Sequence, residues 1–179
     1  MPDGTLFGEP FPPAALANRT AEEIFAAGVF RLRQVTVMKL GGLCPRCSGV
    51  VESRLHICED HDTSAGSRCR ACGNASQVRI RWTCSVCKYW GGSAPSSALF
   101  AHPTVSAFYH EHGVDVGYGI SDFRSARRAL RLLRSHEQEL VSTDSVRVLV
   151  TVEYEGERLR LTVDGDVEVV DVDRSPLEA

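Results

Sequence analysis

Lysine is nearly absent from this chain of 179 residues. Lys39 and Lys88 are its only lysines, and the remaining basic residues are all arginine. Acidic residues outnumber basic ones, 23 to 20, for a formal net charge of −3. That balance excludes the strongly basic character of a dedicated nucleic-acid binder. Long apolar runs are missing too, and none approaches the roughly 20 residues needed to cross a bilayer. No charged, apolar and small-residue signal opens the chain, so a soluble, cytoplasmic protein without membrane contact is expected. No internal repeat, low-complexity tract, phosphate-cradling glycine loop or nucleophile elbow occurs. The cysteine count is odd, at 7. An odd count without a secretory signal argues against a disulfide framework.

What the chain does have is a use for every cysteine. Four pairs follow one another, Cys44 with Cys47, Cys58 with His61, Cys69 with Cys72 and Cys84 with Cys87. Two residues lie between the members of each pair, so one tight turn can present both side chains to a tetrahedral zinc ion. One such pair would be weak; four that use all the cysteines make two complete sites. The cofactor expected is therefore Zn2+, two ions per chain.

The spacers between the pairs alternate. Val51, Ser53, Leu55 and Ile57 mark the first, and Val78, Ile80 and Trp82 set against Arg79 and Arg81 mark the second. Each reads as a strand. Joined through the stretch 62–66, the two suit an antiparallel hairpin with a metal at either end. Its base would hold Cys44, Cys47, Cys84 and Cys87, and its tip Cys58, His61, Cys69 and Cys72. A cross-braced scheme, first pair with third and second with fourth, remains open on spacing. The nested scheme is preferred because the strands then pair without crossing connections.

The segments around this region fall into place by punctuation. Residues 1–42 hold a proline-rich, extended lead-in and then Thr20-Ala21-Glu22-Glu23, which has the form of a capping box. A helix from about 21 to 39 follows, with Phe25, Val29 and Leu32 on one face and Gly41-Gly42 as its end. Residues 43–92 are the double-zinc ribbon, with Gly91-Gly92 and Pro95 as its exit. Residues 93–179 carry helices and a sheet. Pro103 opens a helix whose face is Val105, Phe108, Tyr109 and His112 and whose stop is Gly113. A second runs from Ser121 to about Ser135, with Phe123, Ala126, Leu130 and Leu133 on one side and Arg124, Arg127, Arg128, Arg131 and Arg134 on the other. That arginine face reads as solvation first and as a phosphate-binding surface second.

The final stretch has the clearest strand pattern. Val146, Val148, Val150 and Val152 alternate, Glu155-Gly156-Glu157 turns, Leu159, Leu161 and Val163 alternate again, Asp164-Gly165 turns, and Val167, Val169 and Val172 close. With 139–143 this predicts a meander of three or four strands, covered on one face by the two preceding helices. The fold class expected is α+β: a zinc ribbon with a second zinc in its fingertip loop, plus helices packed on a C-terminal antiparallel β-meander.

Catalytic constellations are not found. His110-Glu111-His112 is consecutive, so a helix cannot aim all three at one metal, and it lacks metalloprotease spacing. These histidines read as surface or helix-end groups, and His102 and His136 as local hydrogen-bond partners at helix boundaries. The zinc-deaminase pattern is missing, and four protein ligands close each proposed zinc against water. A non-enzymatic protein is expected.

Several separated motifs together resemble a known family. Pro10-Phe11-Pro12-Pro13, Arg19-Thr20-Ala21-Glu22-Glu23, Cys44-Pro45-Arg46-Cys47-Ser48-Gly49, His102-Pro103-Thr104-Val105-Ser106-Ala107-Phe108-Tyr109 with His112-Gly113-Val114-Asp115, and the closing strands are similar to the C-terminal region of haloarchaeal ArsR-type transcriptional regulators. The resemblance spans nearly the whole chain. It implies that the four pairs are zinc ligands, and it implies no catalytic residue. In that family a winged helix that binds DNA precedes this region. Met1 here lies a few residues before the proline motif, so either a stand-alone companion domain or a gene start placed too late is expected. Two functions follow as expectations. One is a regulatory or interaction module of transcription, whose partner is another protein, a DNA-binding regulator chain or a second copy. The other is direct nucleic-acid binding by the ribbon, whose Trp82, Tyr89 and Trp90 are available for stacking. Metal sensing at the mixed Cys58, His61, Cys69 and Cys72 site is a third. For the isolated chain, at most weak, non-specific nucleic-acid binding is expected.

Overall fold

Helix α1, Ala21–Leu40, starts where the capping box places it. Thr20 accepts a hydrogen bond from the Glu23 amide, and the Glu23 carboxylate accepts from the Thr20 amide at 2.7 Å. The structure, a computed structural model, describes residues 16–64, 66–116 and 122–177. The proline-rich lead-in, the first residue of the predicted arginine helix and Ala65 of the hairpin connection lie outside them.

The ribbon follows. Strand β1, Val51–Ile57, pairs antiparallel with β2, Val78–Cys84, in a register that sets Val51 opposite Cys84 and Ile57 opposite Val78. This is the predicted hairpin. The predicted exit through Gly91-Gly92 is corrected: those residues lie in a third strand, β3, Trp90–Ser93, paired with β2. Glycine is needed there because a Cβ on Gly91 would stand 2.6 Å from Nε1 of Trp82. The close approach of backbone to indole, which the dipeptide does not signal as strand, outweighs glycine's low strand propensity.

Three helices come next: α2, Pro95–Leu99, which the sequence reading did not anticipate; α3, Pro103–Glu111; and α4, Phe123–Ser135, capped by the Asp122 side chain on the Ser125 amide. Val105, Phe108 and Tyr109 of α3 are buried, as their spacing predicts. In α4 the deepest residues are Ala126 and Ala129, while Phe123, Leu130 and Leu133 are half-buried and the arginines at 124, 127, 128, 131 and 134 are exposed. Helix α1 crosses α4, with Phe25 edge-on to Phe123 at 5.3 Å.

The last four strands form one antiparallel sheet in sequence order: β4, Glu137–Ser142; β5, Arg147–Tyr154; β6, Glu157–Asp164; β7, Val169–Pro176. The two-residue turn at Glu155 and Gly156 has φ of 47° and 85°, the left-handed pair that matches the strand twist. Val167, read from the sequence as a strand residue, stands instead in the β6–β7 turn with φ of 68°. The cause is Asp164, whose Oδ1 accepts from the amides of Asp166 and Glu168, both at 3.0 Å, and bends the chain before a strand can resume. β7 is mostly exposed, and Asp171 and Asp173 along it discourage edge pairing.

One apolar cluster joins these parts. It contains Val148, Val150 and Val152 of β5 and Leu159, Leu161 and Val163 of β6, with Leu99, Phe108, Tyr109, Ala126, Val29 and also Val78 from the ribbon. The cover of the sheet therefore includes α1, α2 and a ribbon strand beside the two helices that the sequence offered. Polar ties cross the same junction. Gln138 of β4 accepts from the Ser96 amide at 3.2 Å and donates to the Ser76 hydroxyl and the Val78 carbonyl, while the Leu55 amide donates to the Gly165 carbonyl at 2.9 Å.

Candidate metal centres

The ends of the β1–β2 hairpin bring the four pairs together two by two. Cys44, Cys47, Cys84 and Cys87 form one group and Cys58, His61, Cys69 and Cys72 the other, with the donor atoms of each group within 4.8 Å of one another. This is the nested arrangement and not the cross-brace. It arises because β1 starts just after the first pair and ends at the second, while β2 starts just after the third and ends at the fourth.

The turns have a common form. In three pairs the amide of the first cysteine donates to the carbonyl five residues on: Cys44 to Gly49, Cys69 to Asn74 and Cys84 to Tyr89, each at 2.8 Å. The residue after the second cysteine is left-handed in each, with φ of 57° at Ser48, 71° at Gly73 and 59° at Lys88. Only Gly73 adopts this freely; at Ser48 and Lys88 it costs about 1–2 kcal/mol, which the turn must offset. The curl aims backbone N–H groups at sulfur. Cys58 and His61 depart from it: the Cys58 amide is spent on the Gln77 carbonyl at 2.9 Å, as part of the hairpin.

Sulfur spacing tests the fit to a metal. A tetrahedron with bonds of about 2.3 Å to sulfur has edges of about 3.8 Å, and an imidazole corner shortens the three edges that meet it to about 3.6 Å. Sγ of Cys44 and Cys87 lie 3.7 Å apart, those of Cys47 and Cys84 3.6 Å, and Nδ1 of His61 lies 3.6 Å from Sγ of Cys72. The cysteines are free thiols, not disulfides. Their acidities split within each group. The Cys87 amide, with that of Val86, brings Cys84 down to about 6, and the Asn74 amide does the same for Cys72. The Gly49 amide pulls on Cys47, but the facing Cys87 and Cys84 sulfurs and desolvation outweigh it and push that thiol up to about 11. Desolvation, then the Cys72 and Cys69 sulfurs, pushes Cys58 up to about 11. Sulfurs this close cannot all be thiolates unless a cation stands among them. Both groups can hold a metal ion.

The two sites have different supports. At the base, Cys44 and Cys84 are buried in a small apolar cluster with Val51, Ile80, Trp82 and Ala98. At the tip only Cys69 is buried, and the surrounding chain is turn and bend. There the Asp62 amide donates to Sγ of Cys69 at 3.3 Å.

The histidines outside the sites are not brought together as ligands. His102 caps α3 by accepting from the Thr104 amide. His112 is the helix-end group expected, the C-cap of α3, but not a surface one: Nδ1 donates to the Phe108 carbonyl at 2.8 Å, and Nε2 faces Glu157 at 3.3 Å. His136 is buried, and its bonds reach across the fold rather than locally. Nδ1 donates to the Ser96 carbonyl at 3.3 Å, so Nε2 accepts from the Tyr109 hydroxyl at 2.9 Å. Burial holds this imidazole down to about 4, and desolvation pushes Tyr109 up to about 12. The periodicity that placed Tyr109 on a buried face carried no signal for this pair. Nor did it show Lys39, which is 3 % exposed, with Nζ 4.6 Å from the Trp82 ring centroid and 5.2 Å from that of Tyr89.

No helix among the described residues is long and apolar enough to cross a membrane. No curated protein and no solved structure matches the chain. A family model described as a domain of unknown function (DUF7351) matches residues 3–169, and the chain belongs to that family.

Proposed function

We propose that the chain is a non-enzymatic, zinc-binding module of archaeal transcription regulation that acts in the cytoplasm by binding another protein, either a DNA-binding regulator chain or a second copy of itself. The observation that supports this reading is the convergence of eight protein donors in two groups of four, enough for a metal in each to be closed by protein ligands with no position for water or substrate. Zinc is the metal that four thiolates, or three thiolates and an imidazole, favour in a tetrahedron. The link to transcription rests on the motifs shared with ArsR-type regulators. The test is metal analysis of protein purified without chelator, followed by co-purification with a winged-helix regulator chain. Two zincs and a stoichiometric complex are expected; fewer zincs, or no complex with the regulator and no self-association, would refute it.

One observation favours direct nucleic-acid binding. Trp90 is 76 % exposed on the ribbon, whereas Trp82 is buried filler. Exposed arginines on α4 add a phosphate-compatible face. Titration against duplex DNA at physiological salt decides between the readings. Weak, unselective binding that falls steeply with salt is expected for the module. Tight, selective binding that survives Arg127→Ala and Arg128→Ala but is lost on zinc removal would make the ribbon the reader.

A further inference from the structure

Between α1, the ribbon sheet, α2 and α4 lies a cleft of about 550 Å³, within the range of small-molecule sites. Its lining is unusual in two respects. Four cationic side chains border it, Arg33, Lys39, Arg46 and Arg134, of which Arg33 already donates to the Val116 carbonyl at 2.5 Å and to the Ser106 hydroxyl at 2.8 Å, so that the head falls to the other three; no carboxylate stands among its described lining residues. Beside them are aromatic side chains, Tyr89 and the exposed Trp90 together with the edges of the largely buried Trp82 and Phe100. Two of the cations are organised on those rings. The Lys39 ammonium is over Trp82 and 3.4 Å from Oη of Tyr89, and the Arg46 guanidinium lies 4.3 Å from the Tyr89 centroid. Arg134 reaches the cleft from the exposed side of α4.

From this lining we infer that the cleft binds a small organic anion with a flat apolar body and a carboxylate head. The rings take the body by stacking and area burial, and the cations take the head. A buried ammonium held on aromatic faces gains more from a carboxylate than an exposed one would, since little water competes. Carboxylate is favoured over phosphate because the described lining has no glycine-rich turn at a helix start to cradle one; Gly91 and Gly92 are paired in a strand. The site joins the ribbon to the helices, so an occupant would bridge the two. The inference concerns binding alone and does not depend on the regulatory reading.

The chain carries an internal reporter, since its 2 tryptophans, Trp82 and Trp90, both line the cleft. Titration of the full, metal-loaded chain with benzoate should shift the two indole N–H resonances saturably, while the neutral isostere benzamide should not. Lys39→Met, which keeps the stem and removes the charge, should weaken benzoate binding by about tenfold. Because Lys39 is buried and that variant can misfold, Arg134→Gln on the exposed side serves as the second, with a smaller loss expected. Equal binding of benzoate and benzamide, or no shift at about 10 mM, the weak end for so small a ligand, would overturn the proposal. So would adenosine monophosphate shifting the resonances at lower concentration than benzoate, which would assign the cleft to phosphate.

Discussion

Along β1 only Val51 is buried and its partner β2 buries Val78, Ile80, Trp82 and Cys84, whereas β5 buries Val148, Val150 and Val152 and β6 buries Leu159, Leu161 and Val163. The two hairpins have similar lengths and both alternate, yet their stability has different sources. The meander closes on branched apolar side chains that leave water almost completely, each contributing roughly 1.5–3 kcal/mol. In the ribbon such burial falls mainly on β2, and β1 beyond Val51 stays half-buried or exposed. The ribbon's ends are fixed instead by two groups of convergent donors, the device that small domains use when burial falls short. The strands look alike in pattern and differ in what holds them.

Metal removal is the strongest way to break the comparison. If the two donor groups hold structural zinc as proposed, each ion would contribute on the order of 10 kcal/mol. Chelation should therefore abolish amide protection across 43–91 while β4 to β7 remain protected, as hydrogen exchange would record. Uniform loss of protection would show that the junction through Val78 and Gln138 makes both regions one cooperative unit. Within the ribbon, Cys84→Ser should release one zinc, and Cys69→Ser the other.

The converse perturbation strikes the meander. Leu161→Ala removes a fully buried side chain and should cost about 2–5 kcal/mol by denaturant titration, with both metals still bound. Acid should act on the same region through His136, whose folded value of about 4 lies below its ordinary 6.5. Between those values the unfolded chain takes up the proton and the folded one does not. Stability from this group is thus fully present above pH 6.5 and falls as pH drops towards 4, by roughly 3 kcal/mol in all. Unfolding of the chelated protein against pH, compared with His136→Gln, isolates the slope; an identical slope in the variant would refute the assignment.

The comparison also separates what was legible in the sequence from what was not. Both metal groups could be read because a two-residue spacing is a local constraint, and their nesting followed from strand pairing. The capping box at Thr20 and the valine alternation of β5 were legible for the same reason. Of the features that were not, three show the physical reasons. β3 hides in Trp90-Gly91-Gly92-Ser93, because the need for glycine against the Trp82 indole is a tertiary fact. Val167 alternates like a strand residue but is turned by the Asp164 carboxylate. His136 and Tyr109 lie far apart in sequence, and nothing local announces that a helix end and a helix face will meet.

The smallest expected effect tests whether the two regions are coupled at all. Gln138 is the polar hinge pin between them: its carbonyl oxygen accepts from Ser96 of α2, and its amide donates to Ser76 and Val78 of the ribbon. Gln138→Ala leaves the Ser96 N–H without that acceptor and the Val78 carbonyl with one donor fewer, in a half-buried setting where such losses cost about 1–2 kcal/mol. No metal ligand is touched, so zinc content should stay at two per chain. The loss should appear at the junction, as faster amide exchange at Ser96 and Val78, with the protection of β5 and β6 unchanged. If the variant instead loosens a metal held at the tip, measured as faster transfer to a competing chelator, then the meander supports the ribbon through this side chain. The division into a metal-held and a burial-held region would then need redrawing, with β4 assigned to both.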